Sequence, residues 1–502
     1  MKRKIFASVI CMIVLVLAAG TFQPTRCEIQ LTDSLSVAGF LRYELGLHIA
    51  QKNPNNAQFG RDNNDLNLAR SFFQMEWTYK PCDSFKIYSN MRITGDQTYR
   101  WDDEIAKYNA FPVDVPDDDW TMLKASKDDY RFEIWELYAD FTIKDLWLRL
   151  GKQQIVWGEM IGGRILDAAN NLDRSWNFLF EPEEFENIRI PVWSIRASYN
   201  IKRNLVSWLN DLTVEGYLNP GDVVPTIDPE SGSPFNLRAL PGFLRVVPRD
   251  NRGKMEYGMR VGGMVGGFYA TLNYMHLHNQ GSNFRYQRLT PDPIRGVPLR
   301  AGAGDFTRYA MIVTGEYEPI DLYGLSMNYD LGDPLNAVVT FEGAWIPNQP
   351  YGDAATGASR PEIKDQGTWK YAIRVDRLTQ IVPKQFLHSS MCNLQFQFTQ
   401  TVVEGDENRI LGGGNSKIDK TVENLTFQFK QPFWHNDYYV ACQFIYDTDD
   451  AWLIKPQFRY QYGDDWYFDI YAVFLAGSER RAARFGSMYW ADTLYGRVTF
   501  QF

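Results

Sequence analysis

The side chains with chemical potential in this chain are charged groups placed on alternating positions. Arg42 and Glu44 stand two apart, and Glu76, Arg92, Arg149, Arg196, Arg374, Arg459 and Arg497 each fall on the polar side of an alternating segment, as do Glu215, Glu342 and Asp469. Residues two apart in a strand share one face. Groups of both signs are therefore expected on one common surface. Around a water-filled lumen, opposed acids and bases set a transverse field and tune permeation; the plainer role is mutual pairing that braces the interior. A second group, Glu159, Arg164, Asp167 and Arg189, lies beside Trp157 and Trp193 in a stretch without alternation. These four are expected to form an ion-pair network in a segment that folds into the mouth or lumen and narrows it.

Other chemistries fail on spacing. There are five His; His276 and His278 would share a strand face, but no carboxylate or Cys cluster stands near them in sequence, so a structural role is preferred over metal binding. No His-Glu-x-x-His, Gly-x-Ser-x-Gly or Cys-x-x-Cys-His element occurs, and Gly412–Gly414 lacks the Lys-Ser/Thr of a phosphate loop. No catalytic residue, cofactor or metal is expected. The run with Asp102, Asp103, Glu104, Asp117, Asp118, Asp119, Asp128 and Asp129 lacks the spacing of a calcium loop and reads as a solvated face. The net charge of −9 makes nucleic acid an improbable partner.

The elements that must carry these charges show a period of two. Near the N-terminus Val37, Gly39, Leu41, Tyr43, Leu45, Leu47 and Ile49 oppose Ser36, Ala38, Phe40, Arg42, Glu44 and His48. The scheme repeats with Phe73, Met75, Trp77 and Tyr79 against Arg70, Phe72, Gln74 and Glu76, and again with Trp369, Tyr371, Ile373 and Val375 against Lys370, Arg374 and Asp376. Runs of about ten such residues suit tilted membrane strands. Trp77, Tyr79, Trp345, Trp369, Trp452 and Trp466 fall near expected strand ends, where aromatic rings meet lipid headgroups. Aromatics at 15% with only five Cys agree with a barrel wall.

Parity sets the strand number. Assigning Thr307 to Glu318 to the preceding connection, or to a continuation into Leu322–Asp330, gives about 18 strands with both ends on one side; 16 is the near alternative. Short turns are expected at Pro81–Ser84, Lys144–Leu146, Val265–Gly267 and Gly463–Asp465, facing the periplasm. Long extracellular loops are expected at 50–66, 95–129, 158–189, 219–254, 278–306, 347–367 and 403–420. Pro456, on an apolar face, predicts a local bulge.

The two ends of the chain give the address. Met1–Lys4 followed by the apolar run Ile5–Leu17 reads as a signal peptide cut after about residue 20 or 27, leaving 28–502 as one domain. Beyond it no segment is long and apolar enough for a spanning helix. The last residues alternate Leu494, Gly496, Val498, Phe500 and Phe502 with Tyr495, Arg497, Thr499 and Gln501. Tyr495, Phe500 and Phe502 resemble the terminal signal read by the outer-membrane assembly machinery. The sequence therefore predicts an all-β, transmembrane antiparallel barrel of a bacterial outer membrane, in contact with lipid bilayer and lipopolysaccharide.

One stretch is more distinctive: Leu148-Arg149-Leu150-Gly151-Lys152-Gln153-Gln154-Ile155-Val156-Trp157-Gly158-Glu159, then Arg164-Ile165-Leu166-Asp167 and Asn170, then Glu186-Asn187-Ile188-Arg189-Ile190-Pro191-Val192-Trp193. It resembles the domain-of-unknown-function 1302 family of Gram-negative outer-membrane proteins, most clearly over roughly Leu137 to Tyr199. The resemblance implies a channel or exporter of poorly defined, often hydrophobic, substrates, sometimes with an envelope transport partner. A porin-like channel is the leading expectation. The alternatives are a plugged carrier of hydrophobic molecules with a lateral exit, a sheath around a partner such as a multihaem cytochrome, and an outer-membrane hydrolase.

Overall fold

The computed structural model describes residues 28–49, 66–98, 130–161, 163–174, 185–202, 208–224, 226–227, 244–248, 253–281, 283–291, 297–298, 308–356, 362–411, 418–478 and 491–502. The expected leader, most of the acid-rich connection up to residue 129, and Gly412–Gly414 lie outside the described residues.

Among the described residues eighteen antiparallel strands close into one wall, and two short strands, Ile29–Thr32 and Ile410–Leu411, attach to its ends. In chain order they are β1 Leu35–His48, β2 Leu66–Cys82, β3 Phe85–Asp96, β4 Tyr130–Ile143, β5 Leu146–Gln153, β6 Val192–Ile201, β7 Leu209–Asn219, β8 Glu256–Val265 and β9 Phe268–His278. The second half follows as β10 Pro319–Asp330, β11 Ala337–Asp353, β12 Glu362–Thr379, β13 Cys392–Val403, β14 Thr421–Phe433, β15 Tyr438–Asp447, β16 Ala451–Tyr462, β17 Trp466–Gly477 and β18 Thr493–Gln501. Each strand pairs with its sequence neighbour, and β18 returns to β1 with Gln501 opposite Phe40 and Thr493 opposite His48. Closure leaves no long open edge and satisfies the backbone inside the bilayer, which an open sheet cannot do.

Arg308–Glu316 stands outside this wall. It pairs with Asn283–Pro291, Val297–Pro298 and Leu244–Pro248 in a separate four-stranded sheet. The segment that threatened parity thus belongs to the preceding connection. Both chain ends then lie on the side of the tight turns, where the sequence places the periplasm.

The outer face is apolar. Leu272, Phe132 and Ile470 are among its most exposed side chains. Two aromatic rings of residues flank the zone. On the extracellular side Tyr274 meets Tyr323 at 5.3 Å, Tyr323 meets Trp345 at 5.7 Å and Trp345 meets Trp369 at 5.7 Å, all on register-paired positions. On the other side Phe268 stacks on Tyr329 at 4.4 Å and Trp466 packs on Phe500 at 4.8 Å. Such girdles mark the two headgroup levels.

Several local expectations change. Trp345 and Trp369 are not at strand ends, because β11 and β12 keep pairing past a bulge at Ile346–Gln349 up to Asp353 opposite Glu362. Most of the loop expected at 347–367 is therefore strand. The extracellular connection between β15 and β16 is a tight turn at Thr448–Asp450, while the periplasmic one between β12 and β13 runs through Gln380–Met391. Pro456 produces no bulge. Pairing of β16 with β17 lapses at Lys455 and Pro456, where the ring lacks an N–H to donate, and resumes in unchanged register at Gln457 opposite Tyr471.

Candidate functional site

The lumen is divided by the described parts of the connection that follows β5, residues 154–161, 163–174 and 185–191. Immediately after β5 the chain leaves the wall and turns inward. Gly151 holds a φ of +139° where a Cβ would strike the Leu137 carbonyl, and at Gly158 a Cβ would press on the backbone at Asp167. These two glycines of the distinctive stretch are needed because other backbone passes too close for a side chain.

Ile161 lies eight residues past Gln153, an extended reach of at most roughly 29 Å. It arrives at β13, eight strands around the eighteen-strand wall from β5. There the Gln397 amide clamps it, accepting from Ile161 N at 2.8 Å and donating to Ile161 O at 2.6 Å. Glu342 on β11 takes the backbone amides of Glu159 at 2.5 Å and Leu166 at 3.3 Å on its two oxygens. Arg374 on β12 donates to the Glu159 carbonyl. Side chains of the far wall thus supply partners that a lone loop backbone would lack.

Apolar packing fixes the rest. Ile155, Trp157, Met160, Ile165, Leu166 and Ala169 form one buried cluster with inward residues of β7 to β12, including Tyr217, Met275, Leu277, Leu322, Ala344 and Ile346. Full burial of an aliphatic or aromatic side chain contributes about 1.5–3 kcal/mol, so this face of the connection is held to the wall. The indole of Trp157 donates to Glu215 Oε1 at 2.7 Å. Leu166 sits against Gly324, where a Cβ would collide with it.

The expected network forms in part. Asp167 Oδ2 receives Arg164 at 3.2 Å and Arg189 at 2.7 Å, and Arg164 also donates to Asn170 O at 2.6 Å. Glu159 stands apart, its carboxylate accepting from Asn328 at 3.3 Å. The reason is spatial, since Glu159 is carried to the far wall while Asp167 and Arg189 meet on the way back. Trp193 does not join Trp157; it faces outward and is half exposed.

The wall charges are organised as an acid between two bases on three adjacent strands. Asp140 on β4 lies between Lys86 at 3.1 Å and Arg149, whose Nε and Nη2 donate at 2.6 and 3.0 Å. Glu215 on β7 lies between Arg196 at 2.7 Å and Arg260 at 2.8 Å. Asp469 on β17 lies between Arg459, donating at 2.6 and 3.1 Å, and Arg497 at 3.0 Å. Glu44 also stands 3.6 Å from Arg497. Arg92 pairs with Glu133 at 3.0 Å and donates to Asn187 O of the connection at 2.8 Å, lying over the Trp135 ring. Arg374 pairs with Asp376 at 2.7 Å, Glu76 accepts from Gln74 at 2.9 Å, and Arg42 donates to Thr499 at 3.3 Å.

On the side away from the apolar cluster the lumen keeps a chamber of about 710 Å³, lined by residues of β1–β5 and β14–β18. Arg42, Glu76, Arg149, Arg459 and Arg497 line it, and Gln154, Val156 and Glu186 of the connection close one side. Arg164, Asp167 and Arg189 lie in the connection, and Arg196 and Arg374 on the wall behind it. Sequence reasoning missed Asp140, Gln397 and Lys430. Asp140 was readable, because it mirrors Arg149 across the tight turn at Lys144–Asp145 and cross-strand partners follow from a hairpin's centre.

His276 and His278 do not converge; they bond Asp321 at 2.9 Å and Glu256 at 3.1 Å respectively. Among the described residues no three His, Cys, Asp or Glu side chains gather as metal ligands. Of the terminal residues, Phe500 and Phe502 lie on the outer face, whereas Tyr495 is on the inner face, stacked on Tyr471 at 4.7 Å.

A closed 18-strand wall with outward apolar residues, aromatic girdles and a connection folded into a charged lumen defines a porin-like barrel of the outer membrane. The chain belongs to the DUF1302 family, described as "Protein of unknown function", whose model matches residues 52–407. Its fold is similar to that of OccAB3 from Acinetobacter baumannii, at 8% identity and a TM-score of 0.50, covering 94% of this chain and 99% of that one. OmpF of Salmonella typhi in complex with daunomycin aligns over 95% of this chain and 100% of its own, at 9% identity and a TM-score of 0.39. Curated proteins show no significant match.

Proposed function

We propose that this barrel is a channel that passes small solutes across the outer membrane along one side of its lumen. A single observation carries the reading: the part of the connection from Ile155 to Met160 and from Ile165 to Ala169 docks against the apolar side of the inner wall and leaves a charged chamber of about 710 Å³ beside it. Arg42, Glu76, Arg149, Arg459 and Arg497 then line the path, and Glu159, Arg164, Asp167 and Arg189 belong to the constriction that narrows it. A partner in the envelope that hands solute on, contact of the girdles with lipopolysaccharide, and insertion through Phe500 and Phe502 are part of the same proposal.

Swelling of liposomes that contain the refolded protein tests it. Uptake of uncharged sugars should fall steeply with solute size, as for passage through a water-filled constriction. Absence of swelling with every solute would instead favour a plugged carrier. The observation behind that second reading is that the connection reaches the far wall at β13.

A further inference from the structure

The chamber wall carries a pattern that bracing alone does not require. Across five neighbouring strands, cations and tyrosines alternate: Lys430 on β14, Tyr439 on β15, Arg459 on β16, Tyr467 on β17 and Arg497 on β18, with Arg42 following on β1. Lys430 Nζ lies 4.2 Å from the centre of the Tyr439 ring. The Arg459 guanidinium lies 5.3 Å from Tyr439 and 5.2 Å from Tyr467. Arg42 lies 4.7 Å from the Phe40 ring, which also lines the chamber. Cation and ring hold one another in place, so the stripe presents ordered flat surfaces together with positive charge.

The acids that balance it are recessed. Asp469 and Glu44 are each 2% exposed and do not line the chamber. Asp469 engages Nε and Nη2 of Arg459, leaving the Nη1 donors of that guanidinium for another acceptor. Lys430 is exposed and forms no ion pair among the described residues. The carboxylates that do line the chamber, Glu76, Glu136 and Glu186, come from β2, β4 and the folded-in connection. They put the negative charge of the chamber on β2, β4 and the connection, away from Lys430 and Arg459, so an anion is favoured at the stripe.

We propose that this stripe binds a ring-bearing organic carboxylate, with the ring against the tyrosine faces and the carboxylate taken by Lys430 and Arg459. Burial of a small planar ring on flat aromatic and guanidinium surfaces supplies affinity, and the charge-assisted hydrogen bonds supply the sign preference. The inference names a solute class for the channel reading and rests on it only in requiring that solute reach the chamber.

Two measurements on the full mature chain in detergent and in planar bilayers test it. By calorimetry, benzoate should bind at least roughly tenfold tighter than acetate, which lacks the ring, and than benzylammonium, which reverses the charge. Lys430→Gln should weaken benzoate by about tenfold, the effect of one charge-assisted hydrogen bond. Tyr467→Leu should weaken benzoate while leaving acetate where it was, and Lys202→Gln, outside the chamber, should change nothing. Heat-modifiable migration on gels confirms that each variant is folded.

Equal binding of benzoate and acetate, tighter binding of benzylammonium, or an unchanged Lys430→Gln would overturn the proposal. Conductance separates this from the channel reading. A barrel that binds benzoate selectively yet passes no current would uphold the site and defeat the channel; one that conducts without any benzoate preference would do the reverse.

Discussion

The indole nitrogen of Trp157 and Oε1 of Glu215 are 2.7 Å apart although the two residues belong to opposite kinds of structure, one to a connection inside the lumen and the other to strand β7 of the wall. Glu215 is at the same time the acid between Arg196 and Arg260. One carboxylate therefore ties two strands to each other and the connection to both. Replacing it with Gln leaves two guanidinium groups in the wall without their counter-charge. Loss of one partner in such a buried arrangement costs about 3 kcal/mol, and the urea midpoint of Glu215→Gln in micelles should fall accordingly. An unchanged midpoint would mean that water or other groups already neutralise the pair of arginines.

The close approach of Leu166 to Gly324 leads to a different test. Any side chain at 324 must displace the connection, because the colliding partner is a fully buried leucine rather than the tip of a flexible chain. Gly324→Val should raise single-channel conductance and expose the segment 163–174 to added protease. Gln397→Ala, which removes both bonds to Ile161 without adding bulk, should act in the same direction more weakly.

At the extracellular end of β11, Asp353 is held by Arg409 at 2.5 Å and Lys364 at 2.8 Å. These partners keep its carboxyl well below the usual carboxylate range, Arg409 contributing most. A depressed folded pKa stabilises above the ordinary value of about 3.9 and is lost as pH falls through the depressed one. Hydrogen exchange of the amides of Gln349, Tyr351, Gly352 and Asp353 should therefore stay slow, after correction for intrinsic rate, from pH 7 down to about 4. It should quicken only in stronger acid, whereas in Asp353→Asn it should be fast throughout. Uniform loosening between pH 6 and 5, well above any carboxylate value near 3.9, would show that another group controls this end.

How much of this was legible depends on whether the signal was local. Alternation in segments such as Val37–Ile49 needs no partner to be seen, because a half-lipid, half-water environment forces it residue by residue. Parity required only that Thr307–Glu318 not be a wall strand of its own, and its pairing in a separate sheet decides for the preceding connection over a continuation of the next strand. The apolar inner surface was not legible. In Tyr274-Met275-His276-Leu277 the residues buried inward are Met275 and Leu277, yet the outward Tyr274 and His276 are themselves compatible with a membrane interface, so neither face declares itself. The inward docking of Glu159 on Glu342 joins residues far apart in sequence, and nothing in either neighbourhood encodes that meeting. Hairpin partners such as Asp140 and Arg149 lie between these extremes, predictable once the turn is centred.

The seam between first and last strands makes a further prediction. Gly39 N donates to Phe502 O at 2.8 Å and Phe502 N donates to Gly39 O at 2.9 Å, so the final residue closes the wall. Deleting Phe502 removes both bonds and its ring contact with Phe73. The folded, heat-modifiable species recovered from outer membranes should drop severalfold, while Tyr495→Phe, on the inner face, should leave that yield unchanged.

The central claim is that water and solute pass beside a connection that narrows the lumen. Single-channel conductance of the intact chain against a variant lacking residues 160–185 addresses it most directly. The structure predicts a measurable conductance in the intact protein and a clear increase, with weakened ion selectivity, in the shortened one. Equal conductance and selectivity in the two would contradict it.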